Sequence, residues 1–333
     1  MTQAADSTGR AGRALTTRRT ADEARANLTS VLRLCQEGRL RCSEKSRRPG
    51  AATVALVTEV LQDGDFYPGH AIAAFAWPLL VQAGRLAELA GGRMQLTPRG
   101  RAILARAPSD ALTLLWSRWL ASAPIDELSR IEHIRGQSRP NTLTAASRRR
   151  QAVGRALAAL PPGKWVQIDE LFASMQLDEP PLRVARNDSS IWHLYIAEPR
   201  YGSLGYRGFH DWPLLEGRYT LCVLFEYAAT LGLIDVRYTG PAGARDDFRG
   251  NWGTDDLDYL SRYDGLTAIR RVASLWGSRR TRTAVGVKRV SGSSRRSGVP
   301  GPVVACAGKR ASTDTQAAVR VGHYQASRTP GLP

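Results

Sequence analysis

Two stretches of the chain share one pattern of apolar and polar positions. Residues 71–104 read AIAAFAWPLLVQAGRLAELAGGRMQLTPRGRAIL, and residues 219–238 read YTLCVLFEYAATLGLIDVRY. In each stretch an apolar segment with helical spacing ends at a glycine, Gly84 or Gly232, and a short apolar segment follows. We therefore predict a helix, a glycine turn and a β-strand at both places.

This order is the second half of a winged helix, in which the third helix leads into a β-hairpin. In a first unit, 51–122, Ala52–Leu61 is the predicted first helix and Gly91-Gly92 is the predicted hairpin turn. A second unit is predicted over 147–265. The predicted fold class is thus mainly α with small β-hairpins (α+β), built from two winged-helix units in tandem.

The rest of the chain is assigned from its composition. We expect residues 1–20 to be disordered, 21–50 to form a helix and a basic connector, and 123–146 to be a linker broken by Pro and Gly. The second unit contains an insertion at 176–213. Residues 266–333 show no helical or strand period, so they are either a disordered basic tail or a segment outside the native reading frame.

The positive charge is distributed unevenly along the chain. The formal net charge is +17, which favours a nucleic-acid partner, but residues 1–50 contribute +6 and residues 266–333 contribute +12. Residues 51–265 sum to −1. Any DNA contact made by the predicted units therefore depends on local clusters of arginine and not on their overall charge.

The two predicted third helices lack the groups that read DNA bases. No Lys or Arg lies between Ala71 and Gly84, or between Tyr219 and Val236. Both segments are apolar nearly all round, which predicts burial on two sides, against each other or against a partner. The candidate phosphate contacts are instead arginines at the edges of the wings: Arg85, Arg93, Arg99 and Arg101 in the first, and Arg237, Arg245 and Arg249 in the second.

No sequence motif of catalysis or metal binding is present. The HExxH, GxSxG, CxxC, phosphate-loop and EF-hand patterns are absent, so we expect no catalytic residue, no cofactor and no metal. An enzyme site in the insertion would need carboxylates and histidines to converge: Asp188, His193, Glu198, His210 and Asp211. The four widely spaced cysteines predict free thiols in a reducing cytoplasm, and no apolar run is long enough for a membrane span.

An aromatic and glycine-rich segment, Tyr201–Trp212, lies inside the insertion. It combines arginines with aromatic rings, as proteins that bind single-stranded nucleic acid do. A surface loop packed by its own aromatic rings is the simpler interpretation.

The segments FAWPLLVQAGRLAEL…MQLTPRGRAIL and FEYAATLGLIDV…WGTDDLDYLSRYDGL resemble bacterial, mainly actinobacterial, tandem winged-helix proteins. These are similar to the helicase-associated, XPB-like domain proteins. More loosely, Leu96, Thr97 and Gly100 resemble the end of the wing in winged-helix transcription regulators. The resemblance implies a strand and a helix after Gly265, which the composition of that segment does not predict. It implies no ATPase activity, because no helicase motif is present.

Three functional hypotheses follow. The favoured one is a non-enzymatic, DNA-associated or regulatory protein whose wings contact the phosphates of double-stranded DNA. The first alternative is a protein-interaction scaffold or homodimer that uses the apolar third helices. The second is an enzyme with its site in the 176–213 insertion.

Overall fold

Helices and short strands alternate along residues 14–106, 110–205 and 212–275, the part of the chain that the computed structural model describes. The amino-terminal half contains strand β1 (Thr16–Arg18), helices α1 (Ala21–Gln36), α2 (Ala51–Val60) and α3 (Ala73–Ala83), strands β2 (Ala87–Ala90) and β3 (Arg93–Leu96), and helices α4 (Pro98–Arg106) and α5 (Ala111–Ala121).

The carboxy-terminal half begins after a short 3₁₀ helix, Glu127–Arg130, and strand β4 (Ile134–Arg135). Its elements are α6 (Ala146–Ala159), β5 (Trp165–Gln167), α7 (Ile168–Gln176), α8 (Asp188–Ile191), β6 (Tyr195–Ile196), β7 (Ile234–Tyr238) and β8 (Leu266–Arg271). Before β7 lies one continuous helix, here called α9, made of π-helical Pro213–Gly217, α-helical Arg218–Cys222 and π-helical Val223–Ala229.

The two halves share part of their order of elements. The first has α1, α2 and α3 before β2 and β3, and the second has α6, β5, α7 and α9 before β7 and β8, with α8 and β6 between α7 and α9. In the amino-terminal half a single bridge joins Arg41 to Arg93 on β3, and β3 pairs with β2. In the carboxy-terminal half β5 pairs with β8, and β8 pairs with β7. In each half a segment that precedes the second helix therefore pairs with the last strand. These findings confirm an α+β fold with small antiparallel sheets.

The two third helices form the centre of the molecule. Nine consecutive residues of α3, Ala73–Val81, are buried, and so is every residue of α9 from Leu214 to Ala229. The two helices contact each other. Pro78 lies inside a continuous α3, where its ring removes one backbone donor without breaking the helix. The predicted burial on two sides is confirmed, and the two halves pack against each other through these helices.

The segment 123–146, expected to be a linker, is packed into the fold. Ile125, Leu128, Ile131 and Ile134 recur at every third position and are all buried. Leu128 lies in the 3₁₀ helix and Ile134 in β4, and a spacing of three is shorter than the α-helical period, so the pattern does not predict an α-helix. Next to it, β4 pairs with β6 of the 176–213 insertion, so the connector and the insertion support each other.

Both expected ends of the folded region need correction. Residues 16–18, expected to be disordered with the rest of 1–20, form the edge strand β1 beside β7. Residues 266–271, expected to open an unfolded tail, form β8 between β7 and β5. The folded sequence thus extends at least to Arg271, and residues 1–13 and 276–333 lie outside the described part of the chain.

Buried ion pairs join the segment 123–146 to α9 and to α6. Arg130 donates through Nε to both carboxylate oxygens of Glu226, at 2.9 and 3.1 Å, and Arg150 pairs with Glu127 at 2.5 Å. The hydroxyl of Tyr219 donates to Glu127 at 3.0 Å. Burial alone would lower the pKa of Arg130, but the Glu226 carboxylate raises it above its ordinary value. Removing either partner would leave an uncompensated charge in the core.

Candidate nucleic-acid interface

A groove of about 870 Å³ runs between the end of α3, the start of α4 and the end of α5. Two of the arginines proposed from the sequence, Arg85 and Arg99, line it. Two further arginines, Arg47 and Arg118, line it as well. We call these four residues the groove arginines. Glu88 is the acidic residue of the lining, so the groove carries a local excess of positive charge although residues 51–265 sum to −1.

Arg85 takes its position from the way α3 ends. Gly84 is still helical, with a φ of −70°, and Arg85 instead adopts the left-handed conformation with a φ of 55°. A Cβ on Gly84 would overlap Cδ2 of Leu115 on α5, so glycine is required there for close packing. Gly84 was predicted as a turn glycine, but its role is to allow close packing. Gly232 does act as a turn glycine, since its own φ is +72°.

The stretch Leu96–Gly100 connects Arg85 to Arg99. The Thr97 hydroxyl donates to the carbonyl of Arg85 at 2.8 Å and accepts the amide N–H of Gly100 at 3.0 Å. Pro98 begins α4, a position where its missing N–H costs nothing. A Cβ on Gly100 would overlap the carbonyl oxygen of Leu86, so this glycine lets α4 approach β2. These bonds hold both arginines on the same groove.

The groove arginines have no competing partner among the residues that the structure describes. Arg47, Arg85, Arg99 and Arg118 are all exposed. Within the described residues, none of their guanidinium groups makes an ion pair or a hydrogen bond. The sequence alone does not point to Arg47 or Arg118. Arg47 lies in the basic connector, far from the predicted wing, and Arg118 lies on a helix whose pattern indicates only which face is buried. Four free guanidinium groups on one groove suit an anionic ligand.

The other predicted arginines are placed differently. Arg93 is exposed but does not line the groove, and Arg101 donates to the Leu96 carbonyl at 2.7 Å. Arg237 lies over the Trp165 ring at 4.2 Å, and Arg249 is exposed beside Phe248. Arg245 is not free, since it pairs with Asp169 at 2.6 Å and with Asp247 at 2.9 Å. The structure therefore brings together two of the seven predicted residues and neutralises a third.

The loop between β7 and β8 carries exposed aromatic rings in addition to arginine. Trp252 is 75% exposed, and its ring centroid lies 6.1 Å from that of Tyr201 in the insertion. Trp212, by contrast, packs on Phe172 at 5.1 Å. The aromatic segment at 201–212 is thus partly exposed and partly packed, while residues 206–211 lie outside the described part of the chain.

The apolar faces of the third helices are buried in the centre of the molecule and are not exposed to DNA or to a protein partner. The amino-terminal end of α3 is also occupied, because the Asp65 carboxylate accepts the backbone N–H groups of Ile72, Ala73 and Ala74 at 2.9 to 3.1 Å. The scaffold hypothesis required exposed third helices, and this burial removes that surface.

The residues of the enzyme hypothesis do not line a common cavity. Asp188 and Glu198 are exposed, and His193 is half-buried with its Nδ1 3.0 Å from Nη1 of Arg139. None of the three lines any of the four cavities described for the molecule. His210 and Asp211 lie outside the described residues. Over the described ranges, no group of three or more His, Cys, Asp or Glu is arranged to hold a metal ion.

The described cysteines are buried free thiols: Cys35, Cys42 and Cys222. Burial raises the pKa of Cys35 and of Cys42 to about 12, which disfavours the thiolate near neutral pH. Burial raises the pKa of Cys222 well above its ordinary value, with the same consequence.

Comparisons of the chain with protein-family models, with curated proteins and with solved structures give no match in any of the three. The resemblance to tandem winged-helix and XPB-like domain proteins therefore stays a prediction. Among the helices that the structure describes, none has the length and apolar character needed to span a membrane.

Proposed function

We propose that this protein binds double-stranded DNA by placing the groove arginines against the phosphate backbone. The observation that carries this proposal is the convergence of four exposed, unpaired arginines on one groove whose lining includes one carboxylate. Guanidinium groups bind phosphate oxygens through paired, charge-assisted hydrogen bonds. Contacts of this kind give affinity and orientation without reading bases.

The order of elements supports a winged-helix interpretation of each half. In the first half α1, α2 and α3 lead into the β2–β3 hairpin, and in the second α6, β5, α7 and α9 lead into the paired strands β7 and β8, with α8 and β6 between α7 and α9. In the usual docking of such units the third helix enters the major groove. Here both third helices are buried, so we propose that the DNA contact is made by the edge of the first hairpin and the adjoining helices, independently of sequence.

The test is duplex-DNA binding across a salt series, measured by fluorescence anisotropy. We compare the wild-type chain with the double variant Arg99→Ala/Arg118→Ala, which removes two exposed arginines from α4 and α5. Alanine is the best helix former, so both helices should persist. We expect weaker binding and a loss of about 2 from the slope of log K against log salt, since each lost phosphate contact changes the slope by about 1.

The matched control is Arg33→Ala/Arg135→Ala, which removes two exposed arginines away from the groove. It changes the net charge equally, by removing one arginine from residues 1–50 and one from residues 51–265. We expect its salt slope to stay within about 0.5 of the wild-type slope. Equal losses in both double variants would mean that binding depends on net charge alone and would refute the groove as the DNA site.

A further inference from the structure

A second basic cavity, of about 370 Å³, lies beside the first turns of α6 in the carboxy-terminal half. One wall is α6, and the opposite wall is the segment Pro180–Arg183. Pro180, Pro181 and Leu182 make part of this second wall apolar. The volume falls within the range of roughly 300 to 1,000 Å³ that is common for small-molecule sites.

Arginine dominates the charge of this cavity. Arg148 and Arg155 are seven residues apart, so they share one face of α6, and Arg183 projects from the opposite wall. All three are exposed, and none makes an ion pair or a side-chain hydrogen bond with the described residues. Of the described residues that line the cavity, none is a carboxylate. Three positive charges therefore face a common space without compensation.

A fourth arginine, Arg149, lies buried at the same cavity. It is 1% exposed, its Nη2 binds the Asp126 carboxylate, and its guanidinium lies 4.9 Å from the Tyr219 ring centroid. Its Nε and Nη1 are buried without an acceptor. Buried donors are almost always paired, so two unpaired nitrogens on one cationic side chain require an explanation. Arg149 therefore lines the cavity with two donor nitrogens that have no acceptor among the described residues.

The start of α6 adds to the positive potential. The residue before the helix is Ala145, which provides no side-chain cap, and the first turn contains no acidic residue. The positive end of the helix dipole is therefore not offset from within α6. The helix dipole and the arginines act in the same direction at this cavity.

We propose that this cavity binds the phosphate group of a small phosphorylated molecule. Arg148, Arg155 and Arg183 hold the phosphate oxygens, Arg149 supports them from below, and the wall at 180–182 packs on the apolar body of the ligand. A phosphate monoester suits the site better than a carboxylate, because it carries about two negative charges and three acceptor oxygens. This site is separate from the groove arginines and does not depend on the proposed DNA contact.

The probe is phenyl phosphate, titrated into the full chain by isothermal calorimetry at low ionic strength in a phosphate-free buffer. We expect saturable binding at one site with a dissociation constant below about 1 mM. The variants are Arg148→Ala/Arg155→Ala and, on the other wall, Arg183→Ala. Each changes exposed side chains and should weaken binding about tenfold or more. The control Arg33→Ala/Arg135→Ala should bind as the wild type does.

The same phosphate chemistry could be supplied by the DNA backbone, so the variants are also measured with duplex DNA. Loss of phenyl phosphate binding with unchanged DNA affinity supports a small-molecule site. Loss of DNA affinity with unchanged phenyl phosphate binding overturns that proposal and assigns the cavity to the backbone. The absence of saturable binding, or equal binding by the wild type and both variants, also overturns it.

Discussion

At the scale of single residues, Gly84 and Arg85 divide the roles that one glycine usually has at a helix end. Gly84 supplies the missing Cβ that lets α3 approach Leu115, and Arg85 adopts the left-handed backbone conformation. An arginine in that conformation is uncommon, because glycine and asparagine adopt it at less cost. Arg85 lines the groove in this conformation, so the backbone geometry at the end of α3 bears directly on the proposed phosphate contact.

Substitutions at these neighbouring positions should therefore affect different properties, stability at Gly84 and DNA binding at Arg85. Gly84→Ala should lower the free energy of unfolding by about 1–3 kcal/mol through overpacking, although alanine favours helices. Arg85→Gly should change stability by less than about 1 kcal/mol and reduce the salt slope of DNA binding by about 1. Urea unfolding and anisotropy measure the two quantities. A fully stable Gly84→Ala would contradict the close packing of α3 on α5.

Asp247 provides a test that depends on pH. It pairs with Arg218 at 2.5 Å and with Arg245 at 2.9 Å. Burial alone would raise the pKa of Asp247, but the hydrogen bond and charge of Arg218, with a contribution from Arg245, hold it below its ordinary value. The stabilisation is therefore fully present above the unfolded pKa of about 3.9, and it is lost as the pH falls through the folded pKa.

Asp247→Asn should accordingly lower the free energy of unfolding by about 1–3 kcal/mol at neutral pH. The difference from the wild type should shrink as the pH falls through the lowered folded pKa of Asp247, because the wild-type carboxylate is then protonated as well. Urea unfolding at neutral pH and at an acid pH below that pKa measures this. Asp246→Asn, at the exposed neighbouring position, is the control and should behave as the wild type at both. A difference for Asp247→Asn that does not vary with pH would exclude the ionised pair as its cause.

At the scale of elements, the helices could be predicted better than the strands. The apolar spacing of α3 and α9 was sufficient to locate them, because their burial imposes a helical period. β1 is Thr-Thr-Arg and β8 is LTAIRR, and neither shows a long alternation. Both strands pair with β7, which for β1 lies more than 200 residues away in the sequence. The composition of 266–271 resembles that of the residues after it, so this segment was assigned to the basic tail. Local pattern cannot carry that information.

The placement of β8 can be tested by shortening the chain. A chain ending at Gly265 lacks the strand between β7 and β5, whereas one ending at Leu275 retains it. We expect cooperative urea unfolding for the longer chain, and loss of cooperativity or of soluble protein for the shorter one, because two strands would lose their hydrogen-bonded partner. Equal unfolding midpoints for the two chains would show that β8 is not part of the folded core.

At the scale of the whole molecule, the candidate site was partly visible in the sequence. The neutral charge of residues 51–265 and the basic ends indicated that any interface of the predicted units had to be local. Arg85 and Arg99 were found from their place in the first hairpin region. Arg47, Arg118 and the cavity at α6 required the tertiary arrangement, since their members come from segments that only packing brings together.

The sheet that includes β1 has a consequence for the order in which the protein assembles during synthesis. The Thr20 backbone N–H donates to the Asp235 carboxylate across a separation of 215 residues, and β1 pairs with β7 beside it. The ribosome thus releases one edge strand long before its neighbour exists. We expect β1 to remain unpaired until β7 has been synthesised, accessible to chaperones and proteases, and to join the sheet only in a late folding step.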